Sequence, residues 1–323
     1  MDKLFRIGDF TFRLCAPKEI TPPENFMKFE IRPEDRGSLP VPEYTYHIEV
    51  SDRLKEPEGK IVARRPDLLV FQQKAEKNGQ MLESRLIGVK GRPDPYACYR
   101  EVAPDRAEIL LMRDEIQDLH IDPLFTSLLA LERRLVWKDQ MVLHCAYVEY
   151  QREAILFSAP SETGKTTQAN LWEKYRGSRT VNGDRSLLGK TDGRWTAQGW
   201  PVCGTSEVCN NEAIPVKTVV MLSQAKENRA ERMAPGQAFP LLYSQITANK
   251  WNTPAHIHTM DLIEDFLGHV PVFHLGCTIS KEAVDCLEKA LRELDYVGNH
   301  YPVPCLCGSV HMDCTGQRIS NLF

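Results

Sequence analysis

The sequence has no long apolar run, no excess of positive charge and no internal repeat. No stretch of roughly 18 consecutive apolar residues occurs, which argues against a membrane-spanning helix. Residues 1–9 carry charges where a secretory signal requires an apolar stretch, so we expect a cytoplasmic protein. The 40 basic residues are outnumbered by 44 acidic ones, and a net charge of −4 argues against a general nucleic-acid binder.

The composition is that of an ordinary globular protein. The chain has 323 residues, of which 42% are hydrophobic and 26% are charged, a length that suggests two domains. Only 19 glycines and 21 prolines are present, which excludes collagen-like and low-complexity proteins. The ten cysteines are scattered, so in a reducing compartment we expect free thiols, although Cys203 and Cys209 are close enough in sequence to pair.

The chain divides into regions with different patterns. Residues 10–14 and 44–50 alternate apolar and polar side chains, which predicts strands in a β-rich region over residues 1–117. Residues 118–137 have leucines at helical spacing, and strands then alternate with helices through residue 298. The sequence therefore predicts an α/β fold of the mixed-sheet, α+β type, with a β-rich N-terminal domain, a second domain over 118–298 and an irregular tail over 299–323.

The most informative segment follows an apolar strand candidate and opens a helix candidate. Residues 159–167 read Ala-Pro-Ser-Glu-Thr-Gly-Lys-Thr-Thr, which nearly matches the P-loop pattern. In such a loop, backbone N–H groups and a helix N-terminus bind phosphate groups, a lysine reaches the β- and γ-phosphates, and a hydroxyl binds Mg²⁺. We predict an ATP and Mg²⁺ site formed by Ala159, Pro160, Ser161, Glu162, Thr163, Gly164, Lys165, Thr166 and Thr167.

Two residues depart from this pattern. Ala159 stands where the pattern has its first glycine, and Glu162 places a carboxylate where phosphates are expected. Ala159 is compatible with the loop if its backbone angles are ordinary. Glu162 must point away from the phosphates or bind the metal, because a carboxylate beside them is unfavourable. The alternative for the whole segment is an ordinary strand–turn–helix with a solvated Lys165.

The loop resembles that of the HPr kinase/phosphorylase and PEP carboxykinase superfamily. PEP carboxykinases have Gly-Leu-Ser-Gly-Thr-Gly-Lys-Thr-Thr, from which this loop differs at Ala159, Pro160 and Glu162. His144 precedes the loop by 15 residues, as in the HPr kinase branch. The similarity covers residues 140–295 and includes Gln-Ala-Asn-Leu-Trp at 168–172 and Asn-Gly-Asp-Arg at 182–185.

The resemblance implies an HPr kinase-like P-loop domain, but not a true HPr kinase. The Glu-Ile-Arg-Gly signature of true HPr kinases is absent, and residues 199–207 stand in its place. Asp184 aligns with the second of two paired aspartates in the family, whereas Gly183 replaces the first. We therefore expect a cytoplasmic serine kinase-like phosphotransferase whose substrate is a protein or peptide other than HPr.

The resemblance also implies roles for individual residues. Asp184 is the expected general base or metal-associated carboxylate, His144 modulates its charge, and Arg185 stabilises the transferred phosphoryl group. Thr166, Asp184 and Glu207 are the expected metal ligands. The alternatives are a turn residue for Asp184, a core histidine for His144, a surface ion pair for Arg185 and an exposed loop carboxylate for Glu207.

Three functions are consistent with the sequence. The first is a kinase that transfers the γ-phosphoryl group of ATP to a serine or threonine of a protein or peptide. The others are a nucleotide-binding switch or scaffold with weak catalysis, which Ala159, Glu162 and Gly183 favour, and a small-molecule kinase. We expect no nucleic-acid or membrane partner, and a homo-oligomer is possible.

The tail contains four potential zinc ligands. Cys305, Cys307, His311 and Cys314 are clustered, but their spacing differs from that of common zinc fingers. Free thiols in an irregular tail are the favoured interpretation.

Overall fold

The computed structural model describes residues 1–32, 40–75 and 79–300. Within these ranges the chain is a mixed α/β protein with two mixed eight-stranded sheets. The mixed-sheet prediction is confirmed, whereas the domain boundaries stay a prediction. The possible zinc ligands Cys305, Cys307, His311 and Cys314 lie outside the described residues. No helix of the described part of the chain is long and apolar enough to cross a membrane.

The first sheet contains all strands before residue 113. In spatial order it runs β1-β2-β3-β8-β7-β6-β5-β4, and β3 pairs in parallel with both β2 and β8. The short helix α1, Glu24–Met27, lies between β2 and β3. The strands are β1 Asp2–Ile7, β2 Phe10–Cys15, β3 Tyr44–Ser51, β4 Lys60–Arg65, β5 Leu68–Lys74, β6 Met81–Ile87, β7 Ala97–Ala103 and β8 Arg106–Met112.

Strand β6 begins five residues earlier than the apolar run at 86–89 predicts. The part of β6 before Leu86 contains Glu83 and Arg85, whose charges interrupt the apolar pattern, yet both side chains are buried. They are buried because they pair with each other, at 2.8 Å between Arg85 Nε and Glu83 Oε1. A strand that buries paired charges has no alternating signal in its sequence.

The segment between the sheets is helical but discontinuous. It consists of a 3₁₀ helix at Arg113–His120, the helices α2 Asp122–Ser127 and α3 Glu132–Leu135, and a 3₁₀ turn at Val136–Lys138. The segment that the leucine spacing predicted to be helical, 118–137, is therefore helical, but it is not one continuous helix. The break coincides with Ala130, whose φ of 46° is incompatible with a right-handed helix. Leu128, Leu131 and Leu135 are buried and Leu124 is half-buried, which explains their helical spacing.

The second sheet carries the loop at 159–164. Pairings β10-β9-β12-β13-β14 return to β10, so these strands form a closed circuit, and β16 and β15 extend it beyond β14. The strands are β9 Met141–Tyr150, β10 Glu153–Ser158, β11 Arg179–Asn182, β12 Arg185–Thr191, β13 Arg194–Gln198, β14 Ile214–Gln224, β15 Arg229–Arg232 and β16 Val272–Cys277. The helices are α4 Lys165–Arg176, α5 Pro235–Gln245, α6 Thr253–His269 and α7 Lys281–His300.

The two sheets share part of their hydrophobic core. The cluster built on Phe5, Phe12 and Tyr46 of the first sheet also includes Val142 and Trp200 from the second half of the chain. Two further clusters lie against the second sheet. The side chains next to residues 182–185 are thus fixed by packing from both sheets.

Candidate functional site

The predicted strand–loop–helix is present at the position of the P-loop pattern. Strand β10 ends at Ser158, and α4 begins at Lys165 after a loop of six residues. Gly164 precedes the helix with a φ of 112°, a conformation that glycine adopts without strain. Among the described residues, no side chain caps the first turn of α4, so its backbone N–H groups face the loop without a side-chain acceptor.

Lys165 is the residue with the most unusual environment in the loop. Its side chain is buried, with 9% of the residue exposed, and Nζ donates to the carbonyl oxygens of Ala159 at 3.0 Å and Pro160 at 3.2 Å. Within the described ranges its ammonium forms no ion pair. Burial lowers the pKa of Lys165, and the nearby carboxylate of Asp184 only partly opposes this effect. A buried cation held by two neutral carbonyls leaves its charge available to an anion.

The structure accounts for the two departures from the P-loop pattern. Ala159 is buried beside Phe157 and Trp172, and its φ lies outside the left-handed region, so a glycine is not needed there. Glu162 is exposed and has a φ of 65°. Its carboxylate therefore does not occupy the buried side of the loop, where Lys165 lies.

The remaining loop residues differ in exposure. Pro160 and Ser161 are exposed, whereas Thr163, Thr166 and Thr167 are half-buried. The hydroxyls of Thr166 and Thr167 lie in the first turn of α4, next to Lys165. This part of the loop thus offers hydroxyl groups as well as backbone N–H groups.

His144 and Asp184 come together because β9 and β12 are antiparallel neighbours. His144 lies opposite Arg185 in the register, and the N–H of Cys145 donates to the carbonyl of Asp184 at 3.0 Å. The ring atom Nε2 of His144 is 3.6 Å from Oδ1 of Asp184. Ser158, the last residue of β10, donates from Oγ to the carbonyl of His144 at 2.8 Å. This pair of residues is therefore attached directly to the strand that enters the loop.

Asp184 is a partly buried carboxylate surrounded by basic groups. Burial alone would raise its pKa, but the approach of His144 and the charges of Arg185 and Lys165 outweigh burial and lower it. Nε of Arg185 lies 3.1 Å from Oδ2 of Asp184, and Nη1 lies 3.3 Å from Oγ1 of Thr247. The sequence-predicted residues His144, Lys165, Asp184 and Arg185 thus lie within one electrostatic environment.

Asn182 is a functional candidate that sequence reasoning missed. Its buried Oδ1 accepts from the N–H groups of Asp184 at 2.9 Å and Arg185 at 3.0 Å. Its Nδ2 donates to the carbonyls of Trp200 at 2.9 Å and Val202 at 3.1 Å. The side-chain amide of Asn182 thus accepts two hydrogen bonds and donates two, which is its full capacity. These bonds fix the turn that carries Asp184 against the loop at 200–209. In the sequence, Asn182 belongs to a turn-forming pattern and to the Asn-Gly-Asp-Arg motif of the resemblance, but neither gave this residue a role of its own.

The same loop explains why Gly183 replaces an aspartate. A Cβ at position 183 would lie 1.8 Å from Oγ and 2.3 Å from Cβ of Ser206. Ser206 is itself held by a hydrogen bond from its Oγ to the carbonyl of Cys203, at 2.8 Å. An aspartate side chain therefore has no room at position 183 in this structure.

Glu207 follows this turn and does not join a metal cluster. It is exposed, with a φ of 57°. Across the described ranges, no three His, Cys, Asp or Glu side chains converge as a metal cluster. The ligand set of Thr166, Asp184 and Glu207 stays a prediction.

The cysteines near the site are free thiols. Burial raises the pKa of Cys203 to about 11 and that of Cys209 to about 12. Cys203 also lies 3.4 Å from Oδ2 of Asp122, whose negative charge disfavours the thiolate further. These two cysteines are packing residues here and are not activated nucleophiles.

A cleft of about 790 Å³ opens beside Asp184. Asp184 and Arg185 line it together with Arg65 and Leu68 of the first sheet and Trp251 of the α5–α6 connection. Its volume lies within the range of about 300–1,000 Å³ that is usual for small-ligand sites. Asp184 and Arg185, two of the predicted catalytic residues, therefore border a space large enough for a second substrate.

Comparison with known proteins gives little further information. No protein-family model matches the chain, and no curated protein is similar to it. Among solved structures, the chain is similar to the Hpr(Ser) kinase/phosphatase from Coxiella burnetii, with 10% sequence identity and a TM-score of 0.29. That similarity covers 50% of this chain and 99% of the other.

Proposed function

We propose that this chain is an ATP- and Mg²⁺-dependent kinase that transfers the γ-phosphoryl group to a serine or threonine hydroxyl of a protein or peptide. The observation that carries the proposal is the buried ammonium of Lys165. Its hydrogen-bond partners in the described structure are the carbonyls of Ala159 and Pro160, at the N-terminus of α4. A polyphosphate is the ligand that a buried cation and a row of backbone N–H groups bind best.

The residues present fit a magnesium ion bound with its nucleotide. Mg²⁺ is usually held by one or two protein oxygens together with phosphate oxygens and water, so it needs no cluster of carboxylates. The hydroxyl of Thr166 and the carboxylate of Asp184 are oxygen ligands of the required kind. When bound, the ion neutralises charge on the phosphate oxygens.

Asp184 has the chemistry of the proton acceptor. Its lowered pKa keeps the carboxylate ionised at neutral pH, so it can hydrogen-bond the acceptor hydroxyl. Asp184 accepts the hydroxyl proton as the hydroxyl oxygen bonds to phosphorus and the bond from phosphorus to the β-phosphate bridging oxygen breaks. Lys165 and Arg185 supply positive charge where the phosphoryl oxygens pass, and His144 holds the charge of Asp184 from the other side.

The second candidate is a nucleotide-binding switch that turns over poorly. Gly183, where the resemblance has a further aspartate, favours it because the site then has one carboxylate fewer for metal and proton transfer. This function requires binding of Mg-ATP without phosphoryl transfer. The two candidates therefore differ in turnover and agree in nucleotide binding.

The test combines calorimetric titration of Mg-ATP with phosphoryl transfer to a mixture of serine- and threonine-containing peptides. The wild type is compared with Asp184→Asn and with the control Asp192→Asn, in an exposed turn. We expect both variants to bind Mg-ATP and transfer to fall by about 10²–10⁴-fold in Asp184→Asn only. Nucleotide binding with no transfer by the wild type would favour the switch, and full transfer by Asp184→Asn would contradict the role of Asp184.

A further inference from the structure

The cleft beside Asp184 has a buried floor and an exposed rim. The floor includes Leu131, Val142 and Trp200, all buried, and the rim includes the exposed side chains of Arg65 and Lys250. A floor of this kind suits an apolar group, whereas the rim offers charge. The cleft therefore favours a ligand that is apolar in part and charged in part.

One wall of the cleft is a face of the first sheet. The strand registers place Arg65, Leu68 and Ile87 in one row across β4, β5 and β6. A second row, two residues along β4, contains Ala63 and Arg85 on the same face. At a strand spacing of about 4.8 Å, three strands form a wall about 10 Å wide. The wall and Asp184 lie on the same cleft, so a ligand that fills it contacts both sheets.

The positive charges of the cleft are not equally neutralised. Arg65 pairs with Asp67 at 2.7 Å, and Arg85 pairs with Glu132 at 2.7 Å. Lys250 forms no ion pair in the described part of the chain, and its Nζ lies 4.7 Å from the centroid of the Tyr243 ring. A negatively charged group of a ligand can therefore pair with Lys250 without displacing a carboxylate that is already bound there.

The floor also contains a polar atom without a partner. Thr126 lines the cleft, and its Oγ1, which is buried, makes no hydrogen bond within the described residues. This hydroxyl gains a hydrogen bond if its side chain turns toward a polar group, such as a peptide N–H or C=O, that enters the cleft. This favours a ligand with polar groups along its length over a purely apolar one.

The distance between Lys250 and the transfer site limits the ligand. Thr247 accepts a hydrogen bond from Nη1 of Arg185, at 3.3 Å, and Lys250 follows it by three residues. Three residues of chain span at most about 10 Å. An extended peptide advances about 3.3 Å per residue, so an acidic side chain that reaches Lys250 lies within about four residues of a hydroxyl at Asp184.

We infer that the cleft binds the acceptor as an extended peptide segment, in which the serine or threonine at Asp184 is accompanied by an apolar side chain on the floor and an aspartate or glutamate at Lys250. The identification of this segment as the phosphoryl acceptor rests on the kinase function proposed above. The binding preference itself rests on the charge and packing of the cleft alone.

Peptide binding in the absence of nucleotide tests this inference. Short, blocked peptides contain one serine, a neighbouring leucine and, three positions away, either aspartate or lysine, and N-acetylserine amide represents a small acceptor. Fluorescence anisotropy or calorimetry gives the Kd for each probe with the wild type. We expect the aspartate peptide to bind about fivefold more tightly than the lysine peptide. We expect N-acetylserine amide to bind far more weakly than either.

Lys250→Glu should reverse the preference between the two peptides, because it replaces the unpaired ammonium by a carboxylate. The control Lys226→Glu makes the same charge change at an exposed turn outside the cleft and should leave the preference as it is. No binding by either peptide, a preference that Lys250→Glu does not alter, or equally tight binding of N-acetylserine amide would each overturn the inference. Because nucleotide is absent, failure to bind ATP would contradict the kinase proposal and leave this result unaffected.

Discussion

Two regions of this protein bury cations, but only in one of them are the cations paired with carboxylates. The first is an ionic cluster in which three arginines and three glutamates pair beneath the cleft, made of Glu83, Arg85, Glu101, Glu132, Arg133 and Arg134. The second is the loop at residues 159–164 beside Lys165, whose ammonium has two carbonyl partners and no ion pair within the described ranges.

The ionic cluster is neutral and connects distant parts of the chain. Nη2 of Arg133 lies 2.7 Å from Oε2 of Glu101, and Nη1 lies 3.2 Å from Glu83. Nε1 of Trp251, on the α5–α6 connection, donates to Glu83 at 2.9 Å. Because each charge already has its counterion, the cluster holds strands and helices together and has no charge left for a ligand.

The surroundings of Lys165 contain no such pairing within the described residues. A buried cation without a counterion costs stability, and a fold keeps such a group where a bound anion completes it. The comparison teaches that pairing, and not burial alone, separates a structural cation from one that is available for binding. The same substitution in each region should therefore have opposite consequences.

The largest loss of stability should come from Arg133→Met. Removal of this guanidinium leaves Glu101 and Glu83 with too few counterions in the interior, so the free energy of unfolding should fall by about 3–5 kcal/mol. Urea denaturation at neutral pH measures it. The control is Arg229→Met, which breaks an exposed pair with Glu231 and should cost about 0–1 kcal/mol. Equal, small losses in both variants would show that the cluster is not structural.

Lys165→Met should leave stability unchanged or raise it by up to about 1 kcal/mol, because an apolar side chain replaces an unpaired buried cation. Phosphoryl transfer should fall by about 10²–10³-fold, since the charge on the phosphate oxygens loses its partner. Urea denaturation and transfer assays on one preparation give both values.

The matched control for Lys165→Met is Lys174→Met, on an exposed position of the same helix, α4. Lys174→Met should change neither the free energy of unfolding nor the rate of phosphoryl transfer by much. A loss of stability in Lys165→Met as large as that in Arg133→Met would contradict the distinction between the two regions. Unchanged transfer would contradict the role of Lys165.

A smaller effect is expected where the turn of Asp184 meets its covering loop. Gly183→Ala should cost about 1–3 kcal/mol, because the new methyl group would overlap Ser206. Ser206→Gly removes the obstacle, so the double variant should be more stable than the sum of the single losses predicts. Urea denaturation of the four proteins forms the cycle. Strictly additive losses would show that Ser206 is not the reason why position 183 requires a glycine.

The strand–loop–helix at Lys165 could be predicted because its signal is local. An apolar strand, a glycine before the helix and the order of residues in the loop are all contained in a short segment. His144 and Asp184 were predicted through a resemblance, and the structure places them 3.6 Å apart, while their roles stay predictions. The mixed α/β class likewise followed from apolar periodicity.

The remaining features depend on contacts between residues far apart in sequence. Asn182 was missed because its acceptors, Trp200 and Val202, lie some 20 residues further on. The residues of β6 before Leu86 could not be predicted as a strand, because the sequence does not show whether Glu83 is buried in an ion pair or exposed to solvent. The break at Ala130 is a left-handed backbone conformation at a non-glycine residue, which the helical spacing of the leucines cannot reveal.

The smallest of these effects should appear as a dependence of stability on pH. Burial would raise the pKa of Glu101, but Arg133 and Arg134 outweigh it and lower the pKa below the unfolded value of about 4.3. Its contribution is therefore complete above about pH 4.3 and is lost as the pH falls through the folded pKa, by about 1.4 kcal/mol for each unit of lowering. Urea denaturation between neutral and acidic pH should show the stability difference between wild type and Glu101→Gln shrinking in acid. The exposed control Glu231→Gln should show a difference that stays small throughout. A difference for Glu101→Gln that is the same at every pH would mean that the guanidinium groups do not hold this carboxylate in its ionised form.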